Sequence, residues 1–264
     1  ISEFFGKELA TQLAARGEMA DVIHANNVLA HVADLNGVVE GFSIVLKDKG
    51  TLVVEAPYAK DFIDHTEFDT IYHEHLCYFS LTALDALMER HGLLVKDVER
   101  LPIHGGSLRI FVGQKQFSER GPRVVALLQE EAKWGVNDLA FYKGFAGKVQ
   151  ALKVSLHDTI AALKAEGHSI GAYGASAKGA TLLNHFGIDT KFIDFVSDKS
   201  TYKQGRFMPG VHIPIVGPEE LQKRMPDYCL LLTWNFKDEI LKAQDNYRLN
   251  GGKFIIPIPE VTIV

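Results

Sequence analysis

The chain has 264 residues, of which 47% are hydrophobic and 23% are charged, and its net charge is −5. This balance is typical of globular proteins and excludes the disordered, collagen-like and coiled-coil classes. No apolar run reaches the roughly 18 residues that span a bilayer, and the negative charge disfavours nucleic-acid binding. The two cysteines are not in a CxxC pair, which indicates a cytoplasmic protein without a zinc–thiolate site or disulfide framework.

The first part of the chain alternates between helical and strand-like patterns. Apolar spacing predicts helices over residues 3–16, 37–47 and 81–92, and a buried strand over 21–26 followed by strands over 51–57, 93–101 and 107–113. Ser80 is the expected N-cap of the third helix. The alternation predicts a parallel α/β architecture, with the last two strands as a possible antiparallel edge hairpin.

A second α/β unit follows a helical stretch at residues 118–166. The pattern predicts strands over 168–174, 191–198, 228–234 and 253–259, with helices over 177–187 and 236–251. We therefore expect two domains, residues 1–115 and 116–264.

The first candidate site follows the strand that ends at Asn26. Asn26 and Asn27 stand where ligands bind in open α/β sheets, and His31 follows within about one helical turn. In the alternative interpretation the asparagines cap a helix and His31 packs on the surface.

The second candidate site is the loop at residues 68–80, which is dense in polar side chains: Asp69, Tyr72, His73, Glu74, His75 and Tyr78. One interpretation is a polar surface loop. Another is a metal site, formed by the histidines at 73 and 75 with Asp69 or His65. The third is acid–base chemistry next to a carbonyl, in which a histidine moves the proton and a tyrosine hydroxyl stabilises the oxyanion.

Two glycine turns complete the candidates. The residues His104, Gly105, Gly106 and Ser107 form either a plain hairpin turn or a backbone cradle for a substrate, with Arg109 nearby. The turn at 171–179 feeds a helix and contains Lys178, which suits a phosphate. Its spacing fits neither GxGxxG nor the P-loop, so a standard dinucleotide or ATP site is excluded.

Four motifs of this sequence resemble one family: YHEHLCYFS (72–80), HGGSLR (104–109), YGASAKGATLLN (173–184) and DKSTYKQGRFMPGVHIPI (198–215). The chain resembles the S-adenosylmethionine-dependent 3-C-methyltransferases of deoxysugar biosynthesis over essentially its whole length. The resemblance implies a partial class I methyltransferase Rossmann-like domain, followed by a second Rossmann-like α/β domain with a helical lead-in. S-adenosylmethionine is the implied cofactor, and a nucleotide-diphospho-4-keto-6-deoxysugar methylated at C3 is the implied substrate.

The resemblance also implies roles for individual residues. Tyr72, Glu74 and His75 surround the sugar, His31 lies on the opposite wall, and His75 is the general base. Asn26 and Asn27 line the cofactor cleft, and no metal is required. The implied substrate contacts are His104, Gly105, Gly106, Ser107, Arg109, Ser176, Lys178, Tyr202, Lys203 and Trp234.

The sequence departs from the family pattern at its beginning. Residues 1–30 contain neither the glycine-rich donor loop nor the cysteine-rich zinc module, so we expect an incomplete donor site within this chain. Two alternatives belong to other classes: a non-catalytic nucleotide-sugar-binding fragment, and a nicotinamide-dependent oxidoreductase that uses the second α/β unit.

Overall fold

The structure is a computed structural model that describes residues 1–264, apart from the side chain of His104. The chain divides into two compact units. The first unit comprises Ile1–Phe62 and His73–Lys143, and the second comprises Ile63–Tyr72 and Gly144–Val264. The expected division into domains at residue 115 stays a prediction. No helix in the described part of the chain is both long and apolar enough to cross a membrane.

The first unit is an α/β unit that follows the expected order of elements. Its helices and strands are α1 (Lys7–Ala15), β1 (Ala20–Asn26), α2 (Leu35–Val45), β2 (Leu46–Pro57), α3 (Ala59–Asp64, ending in the second unit), α4 (Leu81–Arg90), β3 (Leu93–Leu101), β4 (Ser107–Gln114) and α5 (Pro122–Trp134). Helix α6 (Leu139–Ala165) begins in this unit and continues into the second.

Side-chain caps fix where two of these helices begin. The Asp34 carboxylate accepts a hydrogen bond from the Gly37 N–H at 2.9 Å at the start of α2. The Ser80 hydroxyl accepts one from the Ala83 N–H at 3.0 Å, which confirms the expected cap of α4. Helix α1 begins at Lys7, later than expected.

The sheet of the first unit has the strand order β1-β2-β4-β3. Strands β1 and β2 are parallel, whereas β4 is antiparallel to both β2 and β3, which confirms the expected edge hairpin. Strand β1 is confirmed, but its expected burial is wrong. Val22 is 62% exposed and only Ala25 is buried, because β1 lies at the edge of the sheet in the described residues. The core lies against the other strands and includes Leu29, Val39, Leu52, Leu81, Met88, Leu93, Ile110 and Val112.

The second unit is also α/β, with a sheet of order β10-β9-β8-β5-β6-β7 in which only the β10–β9 pair is antiparallel. After α6 its elements are β5 (Ile170–Tyr173), α7 (Ala177–Phe186), β6 (Val196–Ser197), β7 (Ile215–Val216), α8 (Glu219–Arg224), β8 (Tyr228–Leu231), α9 (Lys237–Ala243), α10 (Asp245–Leu249), β9 (Lys253–Ile256) and β10 (Thr262–Ile263). Its core includes Leu156, Ile160, Leu182, Phe186, Phe195, Leu230 and Phe254.

Two expectations for this unit need correction. The strand expected over 191–198 is confined to Val196–Ser197, because only these residues pair with both neighbouring strands. The single helix expected over 236–251 is two helices, since the chain leaves the helical conformation at Gln244, where φ is −106° and ψ is 30°. Strands β7 and β10 and helix α8 were not expected.

The topology of the second unit contains a switch point between two neighbouring strands. From β5 the chain passes through α7 to β6 on one side, whereas β8 pairs with β5 on the other side. The strand order therefore reverses between β5 and β8. Such a switch point opens a crevice at the carboxyl ends of the two strands, where open α/β sheets commonly bind ligands.

Candidate functional site

Three loops of the first unit lie at the same end of its sheet, beyond the carboxyl ends of β1 and β2; this end is called the carboxyl edge below. Parallel strands β1 and β2 pair Asn26 with Glu55, so both end at this edge. Strand β4 runs the other way and pairs Ser107 with Pro57, so it begins there. The candidate site of this unit is therefore formed by the turn after β1, the loop after β2 and the turn before β4.

Two histidines from different loops meet at this edge. The ring centroids of His31 and His75 are 4.9 Å apart, with their planes at 62°. The ring of Tyr78 lies 6.3 Å from that of His75 and packs against Phe62 at 4.9 Å. His31 is exposed and His75 is half-buried, so both rings can reach a bound molecule. Because imidazole accepts and returns a proton near neutral pH, this pair suits acid–base chemistry.

The main chain holds the two histidine loops together. The N–H groups of Leu76 and Cys77 both donate to the carbonyl of Ala30, at 2.8 and 3.3 Å. Ala30 is a buried residue of the short 3-10 turn Leu29–His31. These backbone hydrogen bonds therefore hold the residues next to His31 and His75 close to each other.

The neighbours of His75 in the sequence are placed differently. Tyr72 is half-buried and is the last residue of the segment that belongs to the second unit. The side chains of His73 and Glu74 are 84% and 58% exposed, and their polar groups lie 3.9 Å apart. Exposed pairs of this kind contribute little to stability, so the fold does not explain why Glu74 is in this loop.

The two asparagines lie directly beyond β1. Asn26 is exposed. Asn27 has φ +53°, a left-handed conformation that asparagine tolerates, and its N–H donates to the carbonyl of Glu55 at 2.7 Å. Amide groups at a strand's carboxyl end suit the polar parts of a bound adenosine or amino acid, so the cofactor-binding role of these two residues stays a prediction.

The turn before β4 needs glycine at one position in particular. Gly106 has φ +132°, and a Cβ there would overlap the side chain of Asp61. Gly105 has φ +91°. The Ser107 side chain is buried, and its hydroxyl donates to a carbonyl of the same turn at 3.2 Å. The side chain of His104 lies outside the described residues.

Arg109 faces a buried carboxylate. Its Nε and Nη2 atoms both donate to Oε2 of Glu55, at 3.0 and 2.8 Å, and its Nη1 lies 3.6 Å from Glu99. Glu55 is only 4% exposed. A buried carboxylate needs such a partner, so the geometry supports a structural role for Arg109.

In the second unit, the turn after β5 is tied to the loop after β6. The Ser176 hydroxyl caps α7 by accepting from the Gly179 N–H at 3.1 Å. The Ala175 N–H donates to Oδ2 of Asp198 at 2.7 Å. Lys203 Nζ donates to the Ala175 carbonyl at 2.8 Å and lies 3.7 Å from Asp198. These bonds bring Ser176 and Lys203 to one end of the sheet.

This end of the second unit also presents an aromatic ring. Tyr202 is 86% exposed and precedes Lys203 in the loop after β6. A cation beside a helix N-terminus suits a phosphate, and an exposed ring suits a nucleobase. Gly174, with φ +93°, is required at this turn because a Cβ would overlap Thr233.

A buried charged cluster occupies the switch point of the second unit. This switch-point cluster consists of Glu67, Asp69, Lys178, Trp234 and Asn235. Trp234 Nε1 donates to Oδ2 of Asp69 at 2.8 Å. Lys178 Nζ lies 4.0 Å from the centroid of the Trp234 ring and donates to Oδ1 of Asn235. Asp69 and Glu67 are 0% and 4% exposed.

Burial shifts the pKa values of this cluster. It raises the pKa of Asp69 to about 6, against the opposing effect of the Lys178 charge. It raises the pKa of Glu67 to about 7, against a hydrogen bond from His65, whose Nδ1 lies 3.2 Å from Glu67 Oε1. It lowers the pKa of Lys178 to about 8, although both carboxylates favour the charged amine. The Lys178 charge is therefore partly balanced inside the protein.

Sequence reasoning missed Glu67, Asn235 and Asp198 as site residues. Asp198 directly follows β6, where an acidic residue of dinucleotide-binding folds meets a ribose, so this signal was present in the sequence. Glu67 and Asn235 carry no such local signal. Among the described side chains, no group of three or more His, Cys, Asp or Glu is arranged to hold a metal ion.

A curated relative matches almost the whole chain. The C-methyltransferase NovU of Streptomyces niveus is 36% identical over 261 residues, which cover 98% of this chain and 62% of the relative. The chain thus spans less than two thirds of that relative's length.

Likeness to solved structures is weaker. The mitomycin 7-O-methyltransferase MmcR is 16% identical over 40% of this chain and 38% of its own, with a TM-score of 0.30. A LepI complex with SAM is 10% identical over 36% of this chain and 26% of its own, with a TM-score of 0.31.

Two family models divide the chain between them. A model described as a methyltransferase domain matches residues 4–98. A model described as a C-methyltransferase C-terminal domain matches residues 102–259, which is more than half of the chain. The chain therefore belongs to the C-methyltransferase family.

Proposed function

We propose that the chain carries the acid–base site of an S-adenosylmethionine-dependent C-methyltransferase acting at C3 of a nucleotide-diphospho-4-keto-6-deoxysugar. The observation that carries this proposal is the His31–His75 pair beyond the carboxyl ends of β1 and β2. Family membership supports the methyl-transfer class. The sugar follows from the resemblance of the motif that contains Tyr72, Glu74 and His75.

The chemistry begins with proton removal. The ketone at C4 acidifies the C3–H bond; His75 takes the proton, and the bonding electrons pass to the ketone oxygen as an enolate. General-base catalysis of this kind contributes about 10²–10⁴-fold. Tyr72 or His31 donates a hydrogen bond to the oxyanion, and Glu74 orients a neighbouring imidazole.

Carbon–carbon bond formation completes the reaction. S-adenosylmethionine, when bound, supplies an electrophilic methyl group. At C3 that methyl group would accept the electron pair returning from the enolate oxygen, and the electrons of its bond to sulfur would leave with the sulfur. Asn26 and Asn27 line one side of the donor site, and the chain's contribution to this step is to hold C3 in line.

The nucleotide end of the substrate is assigned to the second unit. Ser176 and Lys178 stand at the start of α7, and Tyr202 and Lys203 follow β6. The helix N-terminus and the two lysines favour the diphosphate, and the exposed Tyr202 ring suits the base.

Hydrogen–deuterium exchange at C3 tests the proposal without any methyl donor. A thymidine diphospho-4-keto-6-deoxyhexose is incubated with the chain in heavy water, and the C3 proton is followed by NMR. The His75→Asn substitution is expected to slow enzyme-catalysed exchange about 100-fold or more. The matched variant His73→Asn, which changes an exposed histidine of the same loop, is expected to exchange at close to the wild-type rate.

Two results would contradict the assignment. Normal exchange in His75→Asn would remove His75 as the base and direct attention to His31 or Tyr72. Nucleotide-sugar binding by the wild-type chain without any C3 exchange would instead support the alternative of a non-catalytic binding fragment.

A further inference from the structure

The segment Ile63–Tyr72, called the strap, belongs to the second unit although the residues on both sides of it in the sequence belong to the first. The strap contains the 3-10 turn Phe68–Thr70. Its own bonds stiffen it: the Thr70 N–H and hydroxyl donate to the Glu67 carbonyl, at 3.1 and 2.9 Å. The last residue of the strap, Tyr72, is the first residue of the motif at residues 72–80.

The strap is held by the switch-point crevice of the second unit. Phe68 is 5% exposed and stacks on Phe186 of α7, with ring centroids 4.8 Å apart and planes at 21°. Next to it, Asp69 accepts the hydrogen bond from Trp234, which follows β8. The strap therefore contacts both α7, which follows β5, and Trp234, which follows β8.

The Asp69 carboxylate depends on this contact. Its Oδ1 atom is buried and has no hydrogen-bond partner among the described residues, and the side-chain donor to its Oδ2 atom is Trp234. The backbone N–H groups of Asp69 and Thr70 also favour the charged carboxylate and lower its pKa. The Lys178 amine supplies a nearby positive charge, but its own hydrogen bond goes to Asn235. A buried carboxylate with one side-chain donor is strongly destabilised when that donor is removed.

We propose that Asp69 and Trp234 are positioning residues. Their hydrogen bond holds the strap in the switch-point crevice and so fixes the backbone at Tyr72, where the motif with His75 begins. Tyr72 and His75 follow Asp69 by three and six residues. In this proposal the Trp234 indole binds Asp69 of the strap and does not contact the nucleotide. The kinetic part of the test rests on the proposed function, whereas the structural part does not.

Trp234→Phe is the central variant, because it keeps the aromatic ring over which Lys178 lies and removes only the Nε1 donor. Trp134→Phe is the matched control, since Trp134 also has a lysine, Lys60, over its ring at 4.1 Å but lies in the first unit. Asp69→Asn keeps an acceptor for the indole, whereas Asp69→Ala removes it.

The structural measurement is hydrogen exchange of backbone amides by mass spectrometry in the absence of substrate. We expect peptides covering 64–78 to exchange about 10-fold faster in Trp234→Phe and in Asp69→Ala, and at close to the wild-type rate in Trp134→Phe. Asp69→Asn is expected to retain most of the protection. Unchanged exchange in Trp234→Phe and Asp69→Ala would overturn the proposal, as would equal loss in Asp69→Asn and Asp69→Ala.

The kinetic measurement separates positioning from binding. For C3 exchange of the 4-keto sugar nucleotide, Trp234→Phe is expected to lower kcat about 10-fold and leave KM nearly unchanged. Titration with ADP, GDP, UDP and dTDP is expected to give wild-type affinities. A weaker nucleotide affinity or a raised KM with normal kcat would show that Trp234 contacts the nucleotide and overturn the proposal. If the wild-type chain does not catalyse C3 exchange, the proposed function is wrong. Backbone amide exchange still tests whether the Asp69–Trp234 hydrogen bond holds the strap.

Discussion

Glu131 offers a sharp test of how the first unit is held together. Its carboxylate is 0% exposed and accepts from the N–H groups of Leu81 and Thr82, both at 2.7 Å, from the Thr82 hydroxyl at 2.5 Å and from the Tyr58 hydroxyl at 3.0 Å. It thereby satisfies two free donors at the start of α4 from a position on α5. In Glu131→Ala these buried donors lose their partner.

The expected cost is large for one substitution. Each buried donor left unsatisfied costs about 1–3 kcal/mol, so Glu131→Ala is expected to lower the free energy of unfolding of this unit by about 4 kcal/mol. With a urea dependence of about 3 kcal/mol per molar, the unfolding midpoint falls by roughly 1.3 M. Fluorescence of Trp134 in a Trp234→Phe background reports this unit selectively. The control is Glu130→Ala, an exposed neighbour on α5. Equal midpoints for the two variants would show that the Glu131 carboxylate does not stabilise the start of α4.

Three further predictions concern charged side chains. Lys178→Ala is expected to weaken nucleoside diphosphate binding by about 1–2 kcal/mol, measured by calorimetry, and unchanged affinity would remove Lys178 from the site. The raised pKa of Asp69 means that the folded protein retains a proton that the unfolded chain loses between pH 3.8 and about 6, so stability falls as the pH rises through this window. Asp69→Asn removes this dependence, worth up to about 3 kcal/mol, and parallel stability–pH profiles of the two proteins would contradict it. Arg109→Met is expected to lower the free energy of unfolding by about 2 kcal/mol, since Glu55 is left buried without its partner. Unchanged urea midpoints would disprove that role.

Local patterns predicted most of the fold, because helix caps and hydrophobic periods are short-range signals. The Ser80 cap, the β3–β4 hairpin and the helices at 118–166 are confirmed. Burial of β1 was not predictable from the apolar run around Val22, because an apolar pattern does not say whether a strand is central or at an edge. The end of α9 at Gln244 was also not predictable, because no Gly or Pro stands there in the sequence.

The candidate site divides in the same way. His31 and His75 were identified by motif, and their proximity follows from both loops leaving one edge of the sheet. The role of Asp69 was invisible, because its partner Trp234 lies 165 residues further along the chain. From the sequence, Asp69 is one candidate ligand of a metal site, whereas in the structure its carboxylate accepts a hydrogen bond from a distant indole.

The proposed role of this chain is to supply the group that removes a proton from C3 of the sugar. The most direct measurement is the position of deuterium in a 4-keto-6-deoxysugar nucleotide incubated with the wild-type chain in heavy water, without S-adenosylmethionine. We expect protein-dependent loss of the C3 proton signal in the NMR spectrum, faster than the loss without protein. A nucleotide sugar that binds to the chain and keeps its C3 proton at the rate of the protein-free control would contradict it.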